Sequence, residues 1–133
     1  MMKTPESCVC LGRALLAVAW VDGSLTERET TLIHDFLSRQ PGYASEVWDR
    51  LAIQRHTSLG EGHLIVYLEE LRCYLSTPEE LRYAQQYINQ VLIADKELTP
   101  KQRQVIQTIT RILRGDQGDV WHEFVRVIRN LAG

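Results

Sequence analysis

The chain has 133 residues, 44% apolar and 24% charged, with a net charge of −2 and a pI near 6.1. That length suits a single domain able to bury a core without disulfides. The absence of a basic surplus removes nucleic acid as the default partner. The longest unbroken apolar stretch, Ala14 to Val21, is eight residues, against the ~18–20 needed to cross a bilayer. Glu6 precedes it and only one Lys lies upstream, so it does not read as a signal peptide. A cytoplasmic protein is expected.

Nearly every segment has helical period and none sustains an alternation of period two. The first helix is expected over about Glu6 to Val21, with Leu11, Leu15, Val18 and Ala19 facing inward and Asp22-Gly23 ending it. Thr26 and Glu29 form a Thr-x-x-Glu capping box for the second helix. Its apolar stripe is Leu32, Ile33, Phe36 and Leu37, and Pro41-Gly42 stops it. A short third helix from Ala44 or Ser45 through Ala52 buries Val47, Trp48 and Leu51. Gln54 to Gly62 is the most loop-like stretch. Leu64, Leu68, Leu71 and Leu75 mark a fourth helix over His63 to Leu75. Thr77-Pro-Glu-Glu80 starts a fifth that runs to about Ala94 on Leu81, Ala84, Ile88, Val91 and Leu92. Thr99-Pro-Lys-Gln102 starts a sixth, which Gly115 stops. From Asp119 or Asp116 a seventh carries Val120, Trp121, Phe124, Val125, Ile128 and Leu131 on one face. The expected fold is all-α, one domain over 1–133.

One motif recurs. Asp22-Gly-Ser-Leu-Thr-Glu-Arg-Glu29 returns 73 residues later as Asp95-Lys-Glu-Leu-Thr-Pro-Lys-Gln102. Val18 falls on Val91, and Leu32, Ile33 and Phe36 fall on Val105, Ile106 and Ile109. A duplicated helix pair follows, with 10–37 and 83–110 as matched, pseudo-symmetric hairpins.

Two readings compete for the acids of these turns. As helix-terminal residues they stay solvated or cap, each contributing ~1 kcal/mol or less. As metal ligands, Asp22, Glu29, Asp95 and Glu97 would pool in one acidic notch with turn carbonyls and water. Ca²⁺ or Mg²⁺ accepts such oxygens. The turn is not an EF-hand, because Glu27 stands at loop position six where Gly is required and Ile33 at position twelve where Glu belongs. In the second copy Lys96 replaces Gly and Gln102 replaces Glu.

Elsewhere the chemistry is sparse. Cys8 and Cys10 point about 200° apart on a helix and cannot close on one ion. Three cysteines, with Cys73, suit a reducing compartment. His34, His56, His63 and His122 lack metal spacing, and no phosphate loop or nucleophile elbow is present, so no catalytic residue is assigned. Trp20, Trp48, Trp121, Tyr67, Tyr74, Tyr83 and Tyr87 read mostly as core. Tyr83 and Tyr87, beside Gln86 and Gln90, offer the alternative of an exposed contact strip.

The stretch from Ala17 to Glu29, Ala-Val-Ala-Trp-Val-Asp-Gly-Ser-Leu-Thr-Glu-Arg-Glu, resembles the signature of the TerB-like family. That family includes bacterial tellurite-resistance proteins and the N-terminal region of some membrane-anchored DnaJ-like co-chaperones. Asp22, Gly23, Leu25, Thr26 and Glu29 match the first copy of its motif, and Asp95, Leu98 and Thr99 the second. The resemblance runs from roughly residue 10 to residue 114. It implies two similar helical halves, divalent-cation binding by the turn acids, and a part in tellurite and stress resistance through protein contacts, often near membranes. It implies no enzyme. Three expectations follow: a non-enzymatic interaction module with protein partners, a Ca²⁺ or Mg²⁺ sensor or buffer, and an enzyme acting on a small ligand between the halves.

Overall fold

The computed structural model describes residues 2–20, 25–94 and 100–113, with backbone alone at Glu61 and at 101–103, 105, 106, 108 and 110. Among them are seven helices and no strand: α1 Pro5–Ala19, α2 Glu27–Ser38, α3 Ser45–Arg50, α4 Ala52–His56, α5 Glu61–Arg72, α6 Pro78–Leu92 and α7 Pro100–Leu113. The expected helix near 119–131 and the Thr99 cap lie outside the described residues.

The helix starts follow from local chemistry. Thr4, Thr26 and Thr77 each hold an extended backbone, and each hydroxyl accepts from the amide three residues on, at 3.1 Å in every case. Pro5 and Pro78 occupy the first helical position, where the missing N–H costs nothing.

Helix α5 runs two residues earlier at its start and three earlier at its end than the expected His63 to Leu75, and the largest departure is near Leu51. The third helix breaks at Leu51, and α4 then occupies part of the stretch read as loop, leaving 57–60 as the connection. Leu51, at the break, is fully buried, with its Cδ1 2.4 Å from where a Cβ on Gly12 would sit. A side chain at position 12 would force Leu51 to shift.

Helix α1 is the axis of the fold and packs against α2, α3, α4, α5 and α6. Its expected inner face of Leu11, Leu15, Val18 and Ala19 is buried. So are Cys8, Val9, Cys10, Gly12, Ala14, Leu16 and Ala17, which leaves only Pro5, Glu6 and Arg13 of α1 short of burial. Met2 is buried as well. Its N–H donates to Gln40 Oε1 at 3.2 Å, and its carbonyl accepts from the Gly42 N–H at 2.8 Å. A Cβ on Gly42 would stand 2.4–2.6 Å from the backbone of Lys3 and Thr4, so this strap also requires glycine.

The repeat reaches further than the turn motif. Residues 2–60 align on 75–133 without a gap, and Thr4-Pro5-Glu6 falls on Thr77-Pro78-Glu79. Helices α1 and α6 are both 15 residues long with the same offset of 73 in both bounds. The aligned residues Val18 and Val91, and Phe36 and Ile109, are all buried. Helix α5 lies in the 61–73 stretch between the two copies and packs on α1 and α7.

Candidate functional site

Of the four proposed ligands, only Glu29 falls within the described residues; Asp22, Asp95 and Glu97 lie outside them. Glu29 is 5% exposed. Its Oε1 accepts from the Thr26 N–H at 3.0 Å while its own N–H donates to Thr26 Oγ1, closing the capping box read from the sequence. One carboxylate oxygen is thus already engaged at the helix start, where the dipole favours negative charge. Among the described residues no group of three or more His, Cys, Asp or Glu side chains is placed to hold a metal ion.

The ends of both turns nevertheless meet at one feature. An open groove of about 910 Å³ runs between α2 and the end of α6, lined by Glu27, Arg28, Thr31, Leu32, Asp35, Gln90, Ile93 and Ala94. Glu27 and Arg28 open α2 just after the first turn, and Ile93 and Ala94 directly precede the second. On α2 the lining residues are spaced as one helical face. Leu32, expected in the core, is only partly buried and forms the floor with Ile93, which is 40% exposed. Asp35 is held at the rim by Arg39, 2.6 Å away. An apolar floor with mixed-charge edges suits an apolar segment better than a small polar ligand.

The aromatic residues divide. Tyr87 stacks on Phe36 with ring centroids 4.4 Å apart, and its hydroxyl accepts from Gln40 Nε2 at 3.2 Å. It therefore ties α6 to α2 rather than offering a contact strip. Tyr83 is 49% exposed and Tyr74 is also exposed, against the core reading. Along α6 the outward residues Tyr83, Gln86 and Gln90 lead to Ile93 and so into the groove. Ile93 was not singled out in the sequence. Its signal is an isoleucine standing one position past the buried stripe that ends at Leu92.

Around the first turn, Trp20 Nε1 donates to the Gln54 carbonyl at 2.9 Å, and Gln54 Nε2 reaches Tyr67 Oη at 3.4 Å. This chain of contacts connects the end of α1 to α4 and α5. Trp48 packs against the edge of His34 and under the Arg55 guanidinium, 4.5 Å from the ring centroid. His56 and His63 are exposed, and His63 Nδ1 accepts from the Gly60 N–H at 3.3 Å. Cys8 and Cys10 are buried and unpaired, and desolvation pushes both thiols above their ordinary pKa. Neither has the electropositive, accessible setting of a reactive cysteine.

None of the described helices is long and apolar enough to cross a membrane. No family model, no curated protein and no solved structure matches this chain.

Proposed function

We propose that the protein is a TerB-like helical module of tellurite and stress resistance, acting in the cytoplasm through protein contacts, with the groove between α2 and α6 as its contact surface. The resemblance of Ala17 to Glu29 to the family motif supports the first part. The observation that carries the second is the groove itself, whose partly uncovered Leu32 and exposed Ile93 lie between polar walls. Its occupant would be an apolar segment of a partner protein, set against Leu32 and Ile93 with polar groups toward Gln90, Arg28 and Asp35. The test is genetic. Deleting the gene in its native host should increase tellurite sensitivity, and the wild-type chain should restore resistance. Ile93→Asp, which puts a charge on the groove floor at an exposed position, should fold normally and fail to restore it. Unchanged tellurite sensitivity on deletion would remove the resistance role. Full rescue by Ile93→Asp would remove the groove.

A second reading, a divalent-cation site, draws support from the same geometry, because residues adjoining both acid turns line one groove. Asp22 would be the first ligand, with Glu29, Asp95 and Glu97 beside it. Titration calorimetry with Ca²⁺, Mg²⁺ and Mn²⁺ on wild type and Asp22→Asn separates this reading from the first. Bound cation should also raise the melting temperature with occupancy. No heat at millimolar cation would leave the contact module alone.

A further inference from the structure

The outward face of α6 has the composition of a protein contact, not of a solvated surface. Tyr83 to Ala94 is the longest uncharged run in the sequence, twelve residues in a chain that is 24% charged. Ala84, Ile88, Val91 and Leu92 take the inward side of that run. On the outward side Tyr83 is 49% and Ile93 40% exposed, and Gln86 and Gln90 are exposed between them. The free face of a surface helix ordinarily carries charge. Depletion of charge together with an exposed tyrosine marks the centre of an interface instead.

The four exposed residues are spaced by three, four and three, which sets them in one row along the helix, as in a helix-packing seam. The row spans about 15 Å. Read in either direction, it has a bulky side chain at each end and two amides in the middle. We propose that this row binds the same row of a second copy of the chain, antiparallel about a two-fold axis centred at position 88. The proposal rests on the reading of the groove between α2 and α6 as a contact surface, and names the partner there. The axis sets Tyr83 against Ile93 and Gln86 against Gln90, each pair occurring twice. A glutamine amide both donates and accepts, so the facing amides satisfy each other. Against an apolar partner they would be buried unpaired, which is costly. Because the row carries no charge, a second copy meets no repulsion and a charged partner gains no attraction. The ends fit as well. Gln90 and Ile93 belong to both the row and the groove, so the second copy's Tyr83 arrives over the floor of Leu32 and Ile93, with a polar rim for its hydroxyl. A contact of this length falls short of the ~800 Å² per partner of a standard interface, so the dimer should be reversible.

Sedimentation velocity of the full chain from about 10 µM to 1 mM should show monomer giving way to dimer. Gln86→Lys/Gln90→Lys and Gln86→Glu/Gln90→Glu each set like charges face to face across the axis. Each alone should associate at least about ten-fold more weakly than wild type, and an equal mixture of the two should form a heterodimer. Lysine and glutamate suit an exposed helix position, and circular dichroism checks that both variants fold. A wild type that stays monomeric, variants that self-associate as wild type does, or a mixture that fails to associate would each overturn the proposal. The tellurite assay reads the cellular role separately. A monomeric wild type would overturn the second copy as occupant and leave that role standing, whereas a dimeric wild type with no resistance phenotype would remove the role and keep the dimer.

Discussion

Helices α1 and α6 share length, cap, first-turn proline and register, yet α1 is buried except at Pro5, Glu6 and Arg13, and α6 on one face only. The face they have in common is the one facing the core: Leu11, Leu15, Val18 and Ala19 in α1 align with Ala84, Ile88, Val91 and Leu92 in α6. On the opposite face of α1, Cys10, Ala14 and Ala17 are small and buried. The aligned positions of α6 are Tyr83, Tyr87 and Gln90, which are exposed or partly buried. At aligned positions the inward stripe is thus apolar in both helices, while the outward one is packed in α1 and carries tyrosine and glutamine in α6. The end of α6 meets α2 of the first half at the groove, and both line it.

The comparison can be broken first at aligned core positions. Leu16 is fully buried, and Leu16→Ala should cost ~2–5 kcal/mol through lost burial and a residual cavity. Its counterpart Asn89 is half-buried with an unpartnered Oδ1, so Asn89→Ala should cost less than ~1 kcal/mol, because no satisfied bond is lost there. Urea unfolding of both variants checks this, and equal losses would mean α1 is not the enclosed member of the pair.

Gly12 and Gln85 give a smaller contrast. Gly12→Ala places a methyl 2.4 Å from Leu51 Cδ1 and 3.1 Å from Leu37 Cδ1. Overpacking of this kind costs ~1–3 kcal/mol, whereas Gln85→Ala removes atoms from a half-buried position and crowds nothing, so its cost should be smaller. A denaturant midpoint for Gly12→Ala at or above wild type would show that Leu51 yields freely.

Where the two halves are alike, the effects should be alike. Thr4→Ala and Thr77→Ala each remove one capping acceptor, and each should cost ~1 kcal/mol. A two-fold or greater difference between them in thermal melts would sharpen the comparison, separating the Thr4 cap, which also sits beside the Met2 strap, from the Thr77 cap.

The smallest expected effect is electrostatic. Glu6 forms a bidentate pair with Arg50 at 2.8 and 3.0 Å, and that hydrogen bond, then the Arg50 charge, lowers the Glu6 pKa. A depressed folded-state pKa means the stabilisation is present above the ordinary carboxylate range and is lost as pH falls through the lowered value. The loss caused by Arg50→Ala should therefore be visible at neutral pH and vanish in acid. The pair is exposed, so salt should weaken it too. Melts of both chains against pH would contradict this assignment if the difference grew on acidification.

Much of the fold was legible because its signals are local. Thr26 with Glu29, and Thr77 with Pro78 and Glu80, fix helix starts through bonds spanning three residues, and these read directly from sequence. The inward stripes of α5 and α6 were legible for a related reason, since helical period alone decides them. The second buried face of α1 was not legible. Cys10, Gly12 and Ala17 are small residues whose burial depends on what α3, α4 and α5 bring to them. The packing of Leu51 against Gly12 was hidden too, because the two stand 39 positions apart. The longer repeat was present in the sequence in Thr4-Pro5-Glu6 and in Val47-Trp48. At the site, the Thr26–Glu29 capping box was legible from its spacing, while the groove depends on where Ile93 comes to lie beside Leu32, which no spacing reports.

Aligned positions 10 and 83 offer the most direct test of the difference between α1 and α6. Cys10 is buried and its thiol pKa is raised by desolvation, whereas Tyr83 is 49% exposed. In a Cys73→Ser background, a thiol reagent should leave Cys10 unmodified until the protein unfolds, so its rate follows global stability. Tyr83→Cys in the same background should react in the native state, faster by a factor on the order of 1,000 or more. Comparable modification rates at the two positions in folded protein would contradict the account.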